Sequence, residues 1–541
     1  MSGDDDNLHF NLESSPTKSL VSIPDTDDKL NISFFYAVDD STELKSKFAL
    51  SQYEIFSHSH AYSKKNFSGY SHDFFANCGS QISCIDFIQN DLYPSLGDSI
   101  LILVGTSSIN QYLESVGEYH TYVHLYVLNF CASDPKPDQP IVDLSFLCLT
   151  PIKNDDCVRL KWVKINYVTG YLFAVILLKG GCVKLCRFNV ASLSKLLKSD
   201  EPASKRVLEP DYLWQFDRGA SGPRRFTCFD ISYNVNDALI TLACGSNDGF
   251  VDLWNFNLSL FQSFSSESAD SEYIPSHKKI QILYGMTSNL LTREITEISF
   301  LPLPNSYVLA VGTFLKGLIL WDTRFSQLEG EIRTYNIGKP ITCVTWTPNS
   351  QYVLVGASTG MLLEWQTRHN TIIVSYEKLT KSKSSNLLDN ICWSAHASED
   401  AVYFAFDSGE TIEIKTSNVL RKSIKEDAMI FKWKLDVEEP PDEFPPYQTS
   451  PSHIESINNA ITAKFLQDWS NAKKYGVTVT KCFEGVTVDE PETHVRNKVF
   501  ALTTIKSLYT DVLDYKIKLM AYGGNLGVLH VFLTVADLLR K

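Results

Sequence analysis

Short runs in which apolar and polar residues alternate follow one another along most of the chain, and turn residues separate them. ITCVTW (residues 341–346) and FTCFDI (residues 226–231) are examples. A period of two is typical of β-strands that are buried on one face. No apolar run approaches the ~20 residues that a membrane-spanning helix needs. The pattern therefore predicts an all-β protein.

The pattern also repeats. Residues 295–324 and 341–368 both begin with Ile-Thr and continue through an alternating strand, a Pro-Asn turn and a second apolar strand to a Trp and an Arg. Their tryptophans, Trp321 and Trp365, lie 44 residues apart (365 − 321), which matches the ~40–45 residues of a four-stranded propeller blade. Trp321-Asp322 is the dipeptide after which the WD40 repeat is named.

A third clear copy covers residues 226–256 and contains Trp254, and four looser copies cover residues 82–130, 158–190, 391–414 and 498–532. Two early, three central and two late copies predict a seven-bladed WD40-type β-propeller, in which radial closure protects the sheet edges. We expect the signature residues to pack between blades rather than to stack on nucleic-acid bases; they are Trp254, Trp321, Asp322 and Trp365.

The predicted domain organisation is a short, acidic, disordered lead over residues 1–30 followed by one propeller over residues 31–541. Polar stretches near 192–212, 263–290 and 436–460 interrupt the repeats, and we expect them to be long surface insertions. Residues 31–75 are a candidate source for the outer strand that closes the ring.

Charge and cysteine content narrow the function classes. Forty-nine basic and sixty-three acidic residues give a net charge of −14, which argues against indiscriminate binding to phosphate backbones or anionic lipid. The twelve cysteines lie mostly inside apolar runs, as buried thiols do in a reducing compartment. The start MSGDDDNLHF has no signal-peptide pattern. We therefore expect an intracellular protein.

Candidate chemistry is sparse. No GxxxxGK[ST] phosphate loop and no GxSxG nucleophile motif occurs. The glycines at 523–527 fit a hairpin turn better than a ligand loop, and Cys182 and Cys186 fit core packing better than a metal site. His58, His60 and His72 are a weak alternative metal set. We predict no cofactor, no metal and no catalytic residue, with a propeller enzyme kept as the alternative.

Basic residues cluster in places along this acidic chain. One interpretation is that these are solvated faces of the propeller. The other is a local positive patch that contacts DNA or an acidic partner and binds in a salt-sensitive manner. The candidate contact residues are Arg224, Arg225, Arg421, Lys422, Lys432 and Lys434.

The downstream half, about residues 215–541, resembles one family. The motifs are AFDSG (405–409), VLRK (419–422), FKWKL (431–435), a proline-rich insertion, and AYGGNLGVLHV (521–531). This order is similar to the WD40-propeller subunit of general transcription factor IIIC, the fungal tau factor. Arg421, Lys422, Trp433 and the Gly523-Gly524 turn match; the short acidic lead departs from the long, often basic extensions of that family.

The resemblance implies a nuclear, non-enzymatic scaffold. In that family, the propeller joins a second propeller subunit and a large DNA-binding subunit at B-block promoters of tRNA genes and helps to recruit RNA polymerase III. Partners would be other protein subunits, with DNA reached indirectly or through a local basic patch, and neither a membrane nor a small-molecule substrate is expected. The alternative is a WD40 adaptor of another nuclear complex, in ribosome biogenesis, the nuclear pore or chromatin, because fold alone does not decide function.

Overall fold

The computed structural model describes most of the strand-forming sequence. The described residues are 30–38, 41–64, 67–89, 99–107, 120–131, 141–153, 155–165, 170–202, 205–217, 224–234, 238–257, 275–282, 294–326, 328–335, 340–348, 352–357, 362–366, 371–375, 391–399, 401–407, 409–415, 429–437, 461–467, 502–512 and 515–537. The predicted lead over residues 1–30 lies outside them, apart from Leu30.

The described strands form seven sheets. Sheet I contains β5 (Gln81–Gln89), β6 (Ser99–Ser107), β7 (His120–Cys131) and β8 (Ile141–Lys153). Sheet II contains β9 (Cys157–Val163), β10 (Tyr171–Leu178), β11 (Val183–Asn189) and β12 (Asp211–Phe216). Sheet III contains β13 (Phe226–Asn234), β14 (Leu239–Ser246), β15 (Phe250–Asn257) and β16 (Ser276–Gln281).

Sheet IV contains β17 (Ile295–Phe300), β18 (Val308–Thr313), β19 (Leu318–Asp322) and β20 (Glu331–Tyr335). Sheet V contains β21 (Ile341–Trp346), β22 (Tyr352–Ala357), β23 (Leu362–Gln366) and β24 (Thr371–Ser375). Sheet VI contains β25 (Cys392–Ala397), β26 (Ala401–Phe406), β27 (Glu410–Lys415), β28 (Met429–Val437), β29 (Ile461–Gln467), β1 (Leu30–Val38) and β2 (Ser41–Leu50). Sheet VII contains β30 (Leu502–Val512), β31 (Tyr515–Gly524), β32 (Val528–Asp537), β4 (Phe67–Asn77) and β3 (Ile55–Lys64).

The first strands of the seven sheets contact one another in a closed cycle. We call β5, β9, β13, β17, β21, β25 and β30 the central strands; each contacts the next, and β30 contacts β5. In every sheet the second and third strands pair antiparallel outward from the central strand. The fold is therefore all-β and propeller-like, as the alternating sequence pattern predicts. Every predicted repeat copy supplies the first three strands of one sheet.

A β-bulge recurs within the first three residues of every central strand. The pairing with the second strand skips one residue there, which is Ser83, Val158, Thr227, Thr296, Thr342, Trp393 or Thr503. The hydroxyls of Ser83, Thr227, Thr342 and Thr503 each donate a hydrogen bond to a carbonyl at the start of the next central strand, that of its first or second residue. The bulge thus turns an unpaired residue into a link between sheets.

N-terminal strands complete the last two sheets. β4 pairs antiparallel with β32, so sheet VII combines the two ends of the described chain. The expectation that residues 31–75 supply an outer strand is confirmed in β4. β1 also pairs in parallel with β29 and extends sheet VI, an addition that the repeat pattern does not predict.

Two of the predicted insertions contain regular structure. Residues 192–212 include most of α1 (Val190–Leu197), whose cap residue Asn189 accepts hydrogen bonds from Ala191 N and Ser192 N. Val190 and Leu193 are buried in the core between sheets I and II. Residues 263–290 include β16. The interpretation of both stretches as surface insertions is therefore wrong for these parts, because amphipathic segments with few apolar residues still add to an existing sheet or core. Most of 436–460 lies outside the described residues.

The segment after α1 covers the outer edge of sheet I. Leu149 N donates to Arg206 O at 2.8 Å, and Leu208 N donates to Leu149 O at 2.8 Å. The Arg206 guanidinium also donates to Phe146 O at 3.1 Å. These bonds satisfy backbone groups of β8 that an open edge strand would expose. No helix among the described residues is long and apolar enough to cross a membrane.

Candidate functional site

Charged side chains gather on the central strands, in the middle of the ring. Arg159 of β9 pairs with Glu297 of β17, and Lys161 of β9 pairs with Asp230 of β13. Lys506 Nζ of β30 lies 3.0 Å from Asp86 Oδ1 of β5. We call these six residues the central ion cluster. It connects five of the seven central strands.

The carboxylates of this cluster also bind backbone groups of neighbouring sheets. Asp86 Oδ2 accepts a hydrogen bond from Trp162 N at 2.7 Å, and Asp230 Oδ2 accepts one from Phe300 N at 2.7 Å. In both cases the acceptor lies one sheet before the donor. Paired and hydrogen-bonded carboxylates of this kind are tolerated in a largely buried setting. The cluster therefore links sheets I to II and III to IV.

Burial and ion pairing shift the pKa values of these carboxyl groups in opposite directions. Burial raises the pKa of Glu297, and the Arg159 guanidinium opposes that shift only in part. Burial also acts to raise the pKa of Asp86, but the ammonium groups of Lys506, Lys164 and Lys161 outweigh it and lower that pKa overall. Since each carboxylate has a cationic partner, the arrangement is suited to holding sheets together rather than to proton transfer.

The sequence interpretation missed this cluster, although a signal was present. The fifth position of the aligned central strands carries Asp86, Lys161, Asp230, Ser299, Thr345, His396 and Lys506. Every residue in this series is polar or charged. Comparison of this position across all seven copies would have pointed to Asp86, Lys161, Asp230 and Lys506. It would not have pointed to Arg159 and Glu297, which lie at the third position of their strands. The ion pairs themselves depend on which strands become neighbours.

The basic candidates do not form one patch. Arg224 and Arg225 are exposed just before β13, and Arg224 Nε lies 3.7 Å from Asp248 Oδ2. Lys432 and Lys434 lie on β28, opposite Ile412 and Glu410 of β27. Sheets IV and V separate sheet III from sheet VI in the ring. Arg421 and Lys422 lie outside the described residues.

The described signature tryptophans pack between sheets. Trp254 is buried between sheets II and III, with its ring 4.6 Å from the Phe216 ring. Trp321 is fully buried between sheets III and IV, and its Nε1 donates to Phe325 O at 3.1 Å. Both indoles thus lie in apolar cores between neighbouring sheets. Asp322 binds the Arg324 guanidinium, and Trp365 lies on β23 opposite Val353.

The strand register does not bring His58 and His72 of the candidate metal set together. His58 lies opposite Asp73 and His72 lies opposite Ser59 on the paired strands β3 and β4. Because successive strand residues point to opposite faces, His58 and His72 project from opposite faces of sheet VII. Cys186 donates to Ala174 O at 3.1 Å, deep in the core. Within the described residues, no group of three or more His, Cys, Asp or Glu side chains is placed to hold a metal ion.

The glycine-rich segment forms a hairpin turn, as predicted. Gly527, with a φ of +69°, follows the turn between β31 and β32, and its N donates to Gly524 O at 3.1 Å. Its carbonyl accepts from Cys78 N at 2.9 Å. The turn therefore ties sheet VII to the segment that leads into β5.

Exposed large apolar side chains concentrate on one sheet. All of those found among the described residues belong to sheet IV or its turns, and they are Leu303, Phe314, Leu315, Phe325 and Ile332. Phe314 and Leu315 lie on the turn between β18 and β19. Phe314 N donates a hydrogen bond to Glu294 O at 3.0 Å. Burial raises the pKa of the Glu294 carboxyl, and the charge of Arg225 opposes that shift. The structure therefore places Arg225 near Glu294, the residue whose backbone binds this apolar turn.

His124 is a buried histidine that the sequence did not single out. It is fully buried on β7, beside the rings of Tyr53 and Phe146, and neither ring nitrogen has a hydrogen-bond partner. Burial lowers the pKa of His124 to about 3. Below the ordinary histidine pKa of ~6.5, the unfolded chain therefore binds a proton that the folded chain excludes. Stability is retained above that pH and falls as the pH drops towards the folded pKa.

We expect the replacement His124→Phe to flatten the acid dependence of stability. Between pH 7 and pH 5, the wild-type free energy of unfolding should fall about 2 kcal/mol more than that of the variant. Urea unfolding at both pH values measures this difference. Because phenylalanine also removes two unpaired buried nitrogens, the variant should be at least as stable as the wild type at pH 7. Parallel pH profiles for the two proteins would contradict the prediction.

Comparison with known proteins adds little to this geometry. No protein-family profile matches the chain, and no curated protein matches it. Among solved structures, Raptor from Chaetomium thermophilum is similar at 10% sequence identity and a TM-score of 0.43. The similarity covers 86% of this chain and 28% of Raptor, so the chain spans well under a third of the length of that protein.

Proposed function

We propose that this chain is a non-catalytic scaffold, a seven-bladed WD40-type propeller that assembles with other protein subunits. The observation that carries the proposal is that, among the residues the structure describes, every exposed large apolar side chain belongs to sheet IV or its turns. Exposed large apolar side chains that adjoin one another, as Phe314 and Leu315 do on one turn, mark an interaction site. The central ion cluster supports the same assignment, because its carboxylates are paired and serve to join sheets.

The docking surface we propose consists of Arg224, Arg225, Phe314 and Leu315. It combines two exposed guanidinium groups with two exposed apolar side chains on adjacent sheets. This composition fits a partner protein that presents acidic and apolar residues together. Arginine and aromatic residues are also the types most enriched at energetically important interface positions.

The complex we propose is general transcription factor IIIC, in the nucleus. The support is the resemblance of residues 215–541 to its WD40-propeller subunit. The partner would be a second propeller subunit, and contact with DNA at B-block promoters would come through the DNA-binding subunit or a local basic patch. A WD40 adaptor of another nuclear complex is the second candidate, because the sheet IV surface suits any protein partner of the right chemistry.

Affinity purification of the tagged full-length chain from nuclear extract tests both the scaffold proposal and the assignment to transcription factor IIIC. We expect the other subunits of transcription factor IIIC to co-purify in stoichiometric amounts. Subunits of a different nuclear complex would contradict the transcription assignment and support the second candidate. If no protein co-purifies in stoichiometric amounts, the scaffold proposal itself is wrong.

A pair of variants tests the docking surface. Phe314→Asp together with Leu315→Asp should reduce partner recovery at least tenfold, because two apolar contacts are replaced by charges that repel an acidic partner. Leu303→Asp is the matched control, since it places a charge on an exposed leucine at the opposite end of β18 and should retain the partners. Equal recovery with both variants, each folded by circular dichroism, would contradict this location.

A further inference from the structure

Two pairs of cysteines meet at equivalent places in the ring. Cys84 of sheet I and Cys157 of sheet II have their sulfurs 3.6 Å apart. Cys343 of sheet V and Cys392 of sheet VI have theirs 3.7 Å apart. In each pair the first cysteine is the third residue of one repeat, and the second is the first residue of the next central strand. Both pairs therefore lie across a boundary between neighbouring sheets.

A glycine makes room for the sulfurs at both places. A Cβ built on Gly105 of β6 would lie 2.5 Å from the sulfurs of both Cys84 and Cys157. A Cβ on Gly356 of β22 would likewise lie closer than 3.0 Å to the sulfurs of Cys343 and Cys392. Any larger residue would collide with the thiols. The two sites thus share the same backbone arrangement.

The surrounding hydrogen bonds are also the same. Cys157 Sγ donates to Arg159 O at 3.7 Å, and Cys392 Sγ donates to Ser394 O at 3.7 Å, two residues further along the strand in each case. All four cysteines are buried. The two sulfurs of each pair are in contact, and burial raises the pKa of the Cys157 and Cys392 thiols.

We propose that these two pairs are disulfide-forming sites that staple neighbouring sheets when the protein meets a hydroperoxide. A disulfide needs an S–S length of ~2.05 Å. The two sulfurs of each pair must therefore approach by about 1.5 Å. Side-chain rotation and a slight displacement of the strands would bring them together. The bonds would join residues 73 and 49 positions apart in sequence.

The chemistry balances with hydrogen peroxide as the oxidant. The first thiol loses its proton and its sulfur attacks a peroxide oxygen. The O–O bond breaks and the leaving hydroxide takes up that proton, which gives a sulfenic acid and water. The second thiol loses its proton and its sulfur attacks the sulfenic sulfur, forming the S–S bond, and the displaced hydroxide takes up the second proton and leaves as water. Two thiols and one peroxide thus become one disulfide and two waters. Because all four thiols are buried, the reaction should be slow compared with that of an exposed cysteine.

The chain contains an internal control for this geometry. Cys228 of sheet III occupies the same third position, but its neighbour across the boundary is Ile295, whose carbonyl accepts a hydrogen bond from the thiol at 3.8 Å. Gly245 stands beside Cys228 as Gly105 stands beside Cys84. Cys228 should therefore remain a thiol in the wild type, and the replacement Ile295→Cys should create a third pair.

The test is peptide mapping of the full-length protein after treatment with hydrogen peroxide. Catalase removes the oxidant, free thiols are alkylated in acidic denaturant, and cross-linked peptides are identified by mass spectrometry. We expect links Cys84–Cys157 and Cys343–Cys392, with Cys228 alkylated. Cys84→Ser should abolish the first link and leave the second, and Ile295→Cys should add a link to Cys228. The oxidised wild type should also unfold in guanidinium about tenfold more slowly than the reduced protein.

The outcomes that overturn the proposal are equally specific. The proposal is wrong if the paired cysteines are all still alkylated after prolonged oxidation of the folded wild type; these are Cys84, Cys157, Cys343 and Cys392. Sulfinic or sulfonic acids at these positions without cross-links would overturn it as well. Cross-links that involve Cys228 in the wild type would show reshuffling in an unfolded chain rather than bonding across the sheet boundaries, and would contradict the assignment.

Discussion

Replacement of Trp321 by alanine is expected to lower the free energy of unfolding by about 3–5 kcal/mol. The indole is fully buried, and it packs among side chains of both sheet III and sheet IV, including Leu253 and Ile298. Its removal leaves a cavity at the boundary between two sheets, because strands fixed by their own ladders cannot collapse into it. Guanidinium unfolding followed by circular dichroism measures the change.

Two further variants separate packing from hydrogen bonding at this position. Trp321→Phe keeps most of the apolar volume and loses the bond from Nε1 to Phe325 O, so it should cost clearly less than the alanine variant. Trp214→Ala removes a tryptophan that is only partly buried on β12 and should also cost less. If Trp321→Ala costs no more than Trp214→Ala, the indole does not hold sheets III and IV together.

Loss of the buried Asp73 carboxylate is expected to be similarly severe. His530 Nε2 lies 2.7 Å from Asp73 Oδ1, and His530 Nδ1 shares a hydrogen bond with the Tyr522 hydroxyl. All three residues are fully buried. Asp73 lies on β4 and His530 on β32, so this contact joins the N-terminal strand to the C-terminal strand within sheet VII. Asp73→Ala should cost about 3–5 kcal/mol, since it leaves a buried polar partner unsatisfied.

A double-mutant cycle identifies the interaction. His530→Ala alone should also be strongly destabilising, because it removes the partner of Asp73 and the ring that stacks on Phe75 at 4.3 Å. The double variant should cost clearly less than the sum of the single variants, which is the sign of direct coupling. Tyr522→Phe is the milder control and should cost about 1 kcal/mol. Additive single effects would show that the pair does not stabilise the closure of the sheet.

Much of the fold could be predicted from local sequence. The alternation in ITCVTW and its copies marked the central strands, and the tryptophans Trp254 and Trp321 marked the third strands of two sheets. The pairing of β4 with β32 followed from the need to close a ring whose last copy supplies three strands. The helix α1 and the strand β1 were missed, because both are stabilised by packing on a surface that exists only after the sheets have formed.

The candidate site was less predictable. The basic residues were chosen by proximity in sequence, and the structure separates them, with Arg224 on sheet III and Lys432 on sheet VI. The central ion cluster was overlooked, since Arg159 and Glu297 are 138 residues apart. The exposed Phe314 and Leu315 also carried no sequence signal, because in a chain of strands an apolar residue at a turn resembles any other strand residue.

The sequence by itself determined the all-β class, the register of the repeats and the positions of their buried tryptophans. These properties depend on interactions between residues that are close along the chain, where a period of two and a turn residue are sufficient. The tertiary structure alone decided which charges pair, which thiols meet and which apolar side chains stay exposed. Those contacts form between strands of different sheets, and their geometry exists only when the ring has closed.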